Sequence, residues 1–229
     1  MEKQIKVELQ EYMGSDRTIA EAAWTSSYSL GTKAKKSEIQ VTELVKRLAN
    51  EGHATPFETV VFRFWIKLPI QSDRQLMTHR IMSSNSLSGR YRTMPNEFLE
   101  IPEDIKLIFN KIDYNDYYLN LYNEVCKNLN KEYRLILDYL KLAEKANKIT
   151  NLEYKRIREF YRGILPLNNI TERVITINLR SFANFQRLRN SEHAQLEIRQ
   201  IAKAMLQLVE QANICPVAIK TLKNNGWRL

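Results

Sequence analysis

The sequence predicts an α+β fold, a single domain over residues 1–229 with a central sheet flanked by helices. Two stretches alternate apolar and polar residues with period two, while several others repeat with the helical period. The elements run helix, strand, helices, strand, helices, and nothing between residues 100 and 115 is long or polar enough for a linker.

Residues 37–50, SEIQVTELVKRLAN, open the order as a helix. Ser37 and Gln40 form a capping-box pair, Ile39, Val41, Leu44, Val45 and Leu48 keep helical spacing, and Gly52 stops it. TVVFRFWIKLP then places Val60, Phe62, Phe64, Ile66 and Leu68 on one face of a strand ended by Pro69. Ser72 and Gln75 form a second capping pair, so SDRQLMTHRIM reads as a short helix with Gln75 and His79 on one face. SSNSLSG is too rich in serine, asparagine and glycine to stay helical and predicts a loop. Residues 114–146 carry an apolar stripe at Tyr118, Leu121, Val125, Leu129, Ile136, Leu140 and Ala143, a long helix with a break allowed near Asn128–Asn130. Thr150 and Glu153 cap the next helix, which runs to about Tyr161 and stops at Gly163. TERVITINL is a strand, RSFANFQRLR a short helix, and Ser191 is the expected cap of a long helix through Val209.

Bulk properties narrow the function. The chain has 229 residues, is 44% apolar and 27% charged, and carries 35 basic against 26 acidic side chains for a net charge of +9. That excess suits nucleic acid, an anionic surface or anionic small molecules. Its scatter along the chain weakens the nucleic-acid reading, which otherwise draws on the charge and on eleven tyrosines. No apolar run approaches the roughly 18 residues of a membrane span. The segment MEKQIKVELQEYMG lacks a signal peptide's apolar core, so cytoplasmic residence is expected. Cys126 and Cys215 are expected as buried thiols rather than a disulfide.

Standard phosphate cradles, GxGxxG and GxxxxGK[ST], are missing. His53, His79 and His193 stand singly without HExxH or paired cysteines, so no metal site is expected. Without a GxSxG elbow, acyl transfer has no support. Redox or transfer chemistry would lean on a bound organic cofactor.

Four constellations carry chemistry. GHATPFE sets His53 and Thr55 in a turn before the buried strand. QLMTHRIMSSNSLSGRY gathers Gln75, His79, Arg80, Arg90 and Tyr91. REFYRGILPLN puts Arg162 near a helix end. INLRSFANFQRLRNSEHAQ holds Asn178, Arg180, Asn184, Arg189 and His193. As strand residues, Asn178 and Arg180 would share a face; a buried amide at Asn178 without partners would cost about 1–3 kcal/mol. Arg90 follows Gly89, where the backbone can turn sharply, and its fork suits a phosphate. Bland readings stand beside these: His53 serves equally well as a structural histidine, and Arg187 reads more readily as solvated.

These motifs resemble the flavin-dependent thymidylate synthases. That family's Arg-His-Arg, seven residues, Ser, Gly-Arg-Tyr is matched by HRIMSSNSLSGRY, which supplies His79, Arg80, Ser88, Gly89, Arg90 and Tyr91. GHATPFE, RGILPLN and NLRSFANFQRLRNSEHAQ resemble three further family motifs, and AAWTS near Ser26 is a weaker match. The resemblance spans roughly residues 20–212. It implies a homotetramer with shared sites that converts dUMP to dTMP, with methylenetetrahydrofolate as carbon donor and FAD reduced by NADPH. It places Ser26, Thr55, His79, Arg80, Asn178, Arg180, Asn184 and His193 at FAD. Gln75, Leu87, Ser88, Gly89, Arg90, Arg162 and Arg189 would hold the nucleotide. His53 and Tyr91 would line the flavin and folate side, with Arg189, Ser88 and His53 nearest the chemistry. Neither membrane nor nucleic acid is an implied partner.

Two positions depart from the pattern. Thr78 stands where the family has its first arginine, and Ser86 where it usually has glutamate. One cation and one anion are lost together, which reads as a rebuilt pocket. The resulting expectation is retained flavin binding with altered nucleotide recognition: UMP, dCMP, or hydroxymethyl transfer.

Overall fold

The computed structural model describes residues 4–112 and 115–229. Strand β1 (Lys6–Met13) is followed by helices α1 (Asp16–Trp24), α2 (Leu30–Ala34) and α3 (Glu38–Glu51). A 3-10 turn at Thr55–Thr59 leads into strand β2 (Val61–Pro69), helix α4 (Ile70–Leu76) and strand β3 (Ser83–Ser86). Helices α5 (Glu103–Phe109), α6 (Asn115–Lys145) and α7 (Asn151–Tyr161) precede strand β4 (Ile170–Asn178). Helices α8 (Leu179–Arg189), α9 (Leu196–Gln211) and α10 (Pro216–Asn224) follow it.

The strands form an antiparallel sheet in the order β1-β2-β4-β3. Alternation along β2 buries Phe62, Phe64, Ile66 and Leu68 on one face, joined by Ile175 and Ile177 of β4. Phe182 of α8 meets this face, its ring centroid 5.2 Å from Phe62 and 6.2 Å from Phe64. Side chains from α1, α3, α9 and α10 complete the core. Arg63, Trp65 and Lys67 point to the opposite, more open face, as period-two patterning requires.

Two of the caps read from the sequence form as expected, whereas Ser72 and Gln75 make no capping pair, because α4 already begins at Ile70 behind Pro69. Ser37 and Gln40 exchange both capping bonds, and Gly52 ends α3 in the left-handed region at φ +73°. Thr150 and Glu153 do the same for α7. Cys126 and Cys215 are buried and unpaired.

Several expectations need correction. Helix α4 stops at Leu76 rather than running to Met82, so Gln75 and His79 do not share a helical face. Instead Thr78 Oγ1 donates to the Gln75 carbonyl at 2.8 Å and turns the chain out of the helix. The expected serine-rich loop contains strand β3, because the edge of β4 offers main-chain partners that override weak strand propensity. Helix α6 is unbroken: Asn130 donates within the helix to the Cys126 carbonyl at 3.0 Å. Its buried residues are Cys126, Asn130, Tyr133, Leu137 and Leu140, while Tyr118, Leu121 and Val125 of the expected stripe are exposed. Residue 114, the expected start of that helix, lies outside the described residues. Helix α7 ends at Tyr161 as expected, and Gly163 lies within the 3-10 turn Arg162–Ile164 that follows. Ser191 does not cap α9; its Oγ accepts from the His193 N–H at 3.2 Å, five residues before the helix begins.

Elements β1, α1, α2, α5 and α10 were not anticipated. Strand β1 carries a register shift between Leu9 and Glu11, so its alternation is too short to read from pattern. Asp16 links α1 to α10 by accepting from the Val217 and Ala218 N–H groups at 3.0 and 2.9 Å.

Candidate functional site

A cleft of about 650 Å³ is built where the segment after α4 meets α8 and the segment after α10. It is lined by Thr78, His79, Arg80, Arg180, Asn184 and Arg189, residues far apart in sequence. The lining also includes Arg187 and Arg228, giving five arginines and no acidic residue among the described lining. Such a cationic wall favours an anionic ligand.

Arg189, in the last turn of α8, sits at the centre of the polar contacts. Its Nε donates to His79 Nε2 and its Nη2 to Thr78 Oγ1, both at 2.9 Å. A histidine nitrogen that accepts from a guanidinium is unprotonated, which leaves the ring proton on Nδ1. Burial, and then the adjacent Arg189 charge, lower the His79 pKa to about 4. The His79 ring meets Phe185 edge-on at 4.9 Å, which ties it to the core beneath.

A second cleft of about 600 Å³ is lined by His53, Thr55, Arg47, Glu51 and Arg180. Arg180 belongs to both clefts and donates to Glu58 at 2.6 Å. His53 is exposed, its Nε2 3.2 Å from Glu51.

A third group forms around Gly89. A Cβ there would lie 3.2 Å from both Arg162 Cδ and Met94 Sδ, so the absent side chain lets the Arg162 stem approach the backbone. Arg90 Nε donates to Glu159 at 2.6 Å, and its guanidinium lies 5.9 Å from the Tyr91 ring. The Arg90 hydrogen bond, with Arg156 and Arg162 adding, holds Glu159 below the usual carboxylate range. Ser88 Oγ accepts from the Arg90 N–H at 3.3 Å, and Leu87 packs against Met94, Tyr133 and Leu137.

Not every expected residue joins these groups. Asn178 and Arg180 do not share a strand face, because the strand ends at Asn178 and Arg180 is already in α8. Asn178 is the N-cap of that helix, its Oδ1 accepting from the Ser181 N–H at 2.8 Å, so helix capping satisfies the amide. Ser26 donates to the Ala23 carbonyl at 3.1 Å and His193 is exposed; neither lines a cleft described above. Gln75 donates to Gln195. Ser86 is exposed on β3, opposite Arg173.

Sequence reasoning missed the acids that hold the site's arginines, Glu58 and Glu159, although both stand inside or beside quoted motifs. It also missed Arg173, whose buried guanidinium is clamped by Asp73 and reaches Ser84 at 3.0 Å. Arg187, read as solvated, is indeed exposed, and it donates to Asn184 at 2.9 Å on the rim of the cleft.

FAD fits this arrangement: the cationic lining suits its diphosphate, and the two clefts joined at Arg180 have volumes within the roughly 300–1,000 Å³ of small-molecule sites. Among the described residues no helix is long and apolar enough to cross a membrane.

Comparisons with known proteins agree with the resemblance. The model of the family described as thymidylate synthase complementing protein matches residues 8–217. The flavin-dependent thymidylate synthase of Pseudothermotoga lettingae is 34% identical over 210 residues, covering 92% of this chain and 86% of that protein. That of Kosmotoga olearia is 34% identical over 227 residues, covering 96% and 91%. The UMP/dUMP methylase PolB from Streptomyces cacaoi, solved with 5-bromo-dUMP, superposes with a TM-score of 0.79 at 24% identity, covering 99% of this chain and 97% of that one; it speaks for the fold alone. With a family model matched along most of its length and relatives above 30% identity, the chain belongs to the flavin-dependent thymidylate synthase family.

Proposed function

We propose that this chain, acting as one domain, is an FAD-dependent methyltransferase that converts dUMP to dTMP with methylenetetrahydrofolate and NADPH. The observation that carries the reading is the gathering of His79, Arg80, Arg180, Asn184 and Arg189 in one arginine-walled cleft. When bound, FAD supplies the hydride, NADPH its reducing power and the folate the carbon.

His79, Arg80, Arg180 and Asn184 would hold FAD, with Ser26, Thr55, Asn178 and His193 as further candidates. Arg90 and Arg162 would bind the nucleotide phosphate, Gly89 giving the close approach and Glu159 presenting Arg90. Gln75, Leu87 and Ser88 would complete the nucleotide site, Ser88 binding rather than attacking. His53 and Tyr91 would face the flavin and folate side. Donors on Arg189 would stabilise negative charge on the pyrimidine and make its C5 more nucleophilic. His79, kept neutral, adds no second cation beside Arg189. Sites shared between subunits of a homotetramer and a cytoplasmic setting belong to the same reading.

A second reading keeps the cofactor and shifts the nucleotide or the carbon outcome toward UMP, dCMP or hydroxymethyl transfer. Thr78 favours it, since it replaces a cation and bonds Arg189 directly. The test is purification for bound flavin, followed by product analysis with a panel of uridine and cytidine nucleotides. Flavin-dependent dTMP formation supports the first reading, and a product from another nucleotide supports the second. A colourless protein with steeply salt-dependent DNA binding overturns both.

A further inference from the structure

Arg189 is held along one edge. In a guanidinium, Nε–H and one Nη2–H lie side by side, and here the pair is occupied by His79 Nε2 and Thr78 Oγ1, both at 2.9 Å. The Thr78 hydroxyl is itself fixed, because it donates to the Gln75 carbonyl at 2.8 Å and so presents a lone pair to Arg189. Arginine at position 78 could not do this, since its side chain has five donors and no acceptor. We infer that Thr78 is a positioning residue for nucleotide recognition: with His79 it locks the side edge of Arg189 and leaves the end-on edge, Nη1 and Nη2, for the ligand. This rests on the proposed function and deepens it by naming which edge reads the pyrimidine.

An end-on guanidinium edge offers two parallel donors. It complements two adjacent acceptors and opposes an N–H. A neutral uracil sets N3–H beside O2 and meets it poorly; a uracil that has lost its N3 proton meets it well. Thr78 therefore sets a preference for the more acidic pyrimidine by holding Arg189 in place.

The test uses the flavin-loaded protein and equilibrium binding of dUMP and 5-fluoro-dUMP at one pH, the fluorine serving to acidify N3. Wild type should prefer 5-fluoro-dUMP. Thr78→Val, which keeps the shape and removes the hydroxyl, should weaken that ligand about tenfold and shrink the preference, with flavin occupancy unchanged. Thr78→Ser should restore both. Thr78 is exposed, so neither change disturbs the core, and Thr78→Ala carries the same test should the valine variant fail to fold. Unchanged binding, equal weakening of both nucleotides, a parallel loss of flavin, or a wild type without preference each overturns the inference. A wild type that binds flavin but neither nucleotide refutes the functional reading itself, and the inference with it.

Discussion

Asp73 of α4 and Arg173 of β4 offer the sharpest test of how the site is held. Their two-pronged ion pair has side chains only 11% and 5% exposed, with Nη2 to Oδ2 at 2.7 Å. The third nitrogen reaches Ser84 on β3, so one guanidinium joins three elements around the segment that carries Thr78, His79 and Arg80. Replacing Asp73 by Ala leaves Arg173 charged and buried with Ser84 as its remaining side-chain partner. Breaking one half of such a pair costs about 3–5 kcal/mol. In a chain of this size each kcal/mol lowers Tm by roughly 2–4 °C, so a fall of about 6–20 °C is expected. The double variant D73A/R173M orphans no charge and should recover a large part of the loss. Denaturant unfolding of wild type, both single variants and the double variant measures the coupling. A loss below about 1 kcal/mol for D73A, or strictly additive single effects, refutes the reasoning.

Three further outcomes follow from local geometry. Gly14 has φ +99° and a Cβ there would lie 2.9 Å from Val60 Cγ2, so Gly14→Ala should cost about 1–3 kcal/mol in thermal unfolding. Thr150→Ala removes the capping bond at α7 and should cost about 1 kcal/mol, read by the same assay. His79 has a folded pKa of about 4 against an ordinary 6.5, so in that window the unfolded chain binds more protons. Its contribution to stability is complete above the upper value and lost as pH falls toward the lower one; His79→Gln should flatten that slope. Imidazole NMR signals that titrate near 6.5 in the folded protein would contradict this.

Much of the scaffold was legible because it is local. Strand β2 shows itself in the alternation from Val60 to Leu68, and α3 and α7 in capping pairs three residues apart. Strand β3 was illegible because its partner lies nearly ninety positions away: Arg173 reaches Ser84 across a separation of 89. The stripe on α6 misled because hydrophobic spacing identifies a helix but not which of its sides becomes buried.

The site divides in the same way. Sequence by itself determined which residue types are present and their spacing in each motif, since composition and local order need no neighbour from elsewhere in the chain. Only the tertiary structure decided that Arg189 meets Thr78 across 111 positions, that Asn178 caps a helix, and that Glu159 holds Arg90. Those outcomes depend on where folding brings donors and acceptors within about 3 Å of each other, and hydrogen bonds act only at that range.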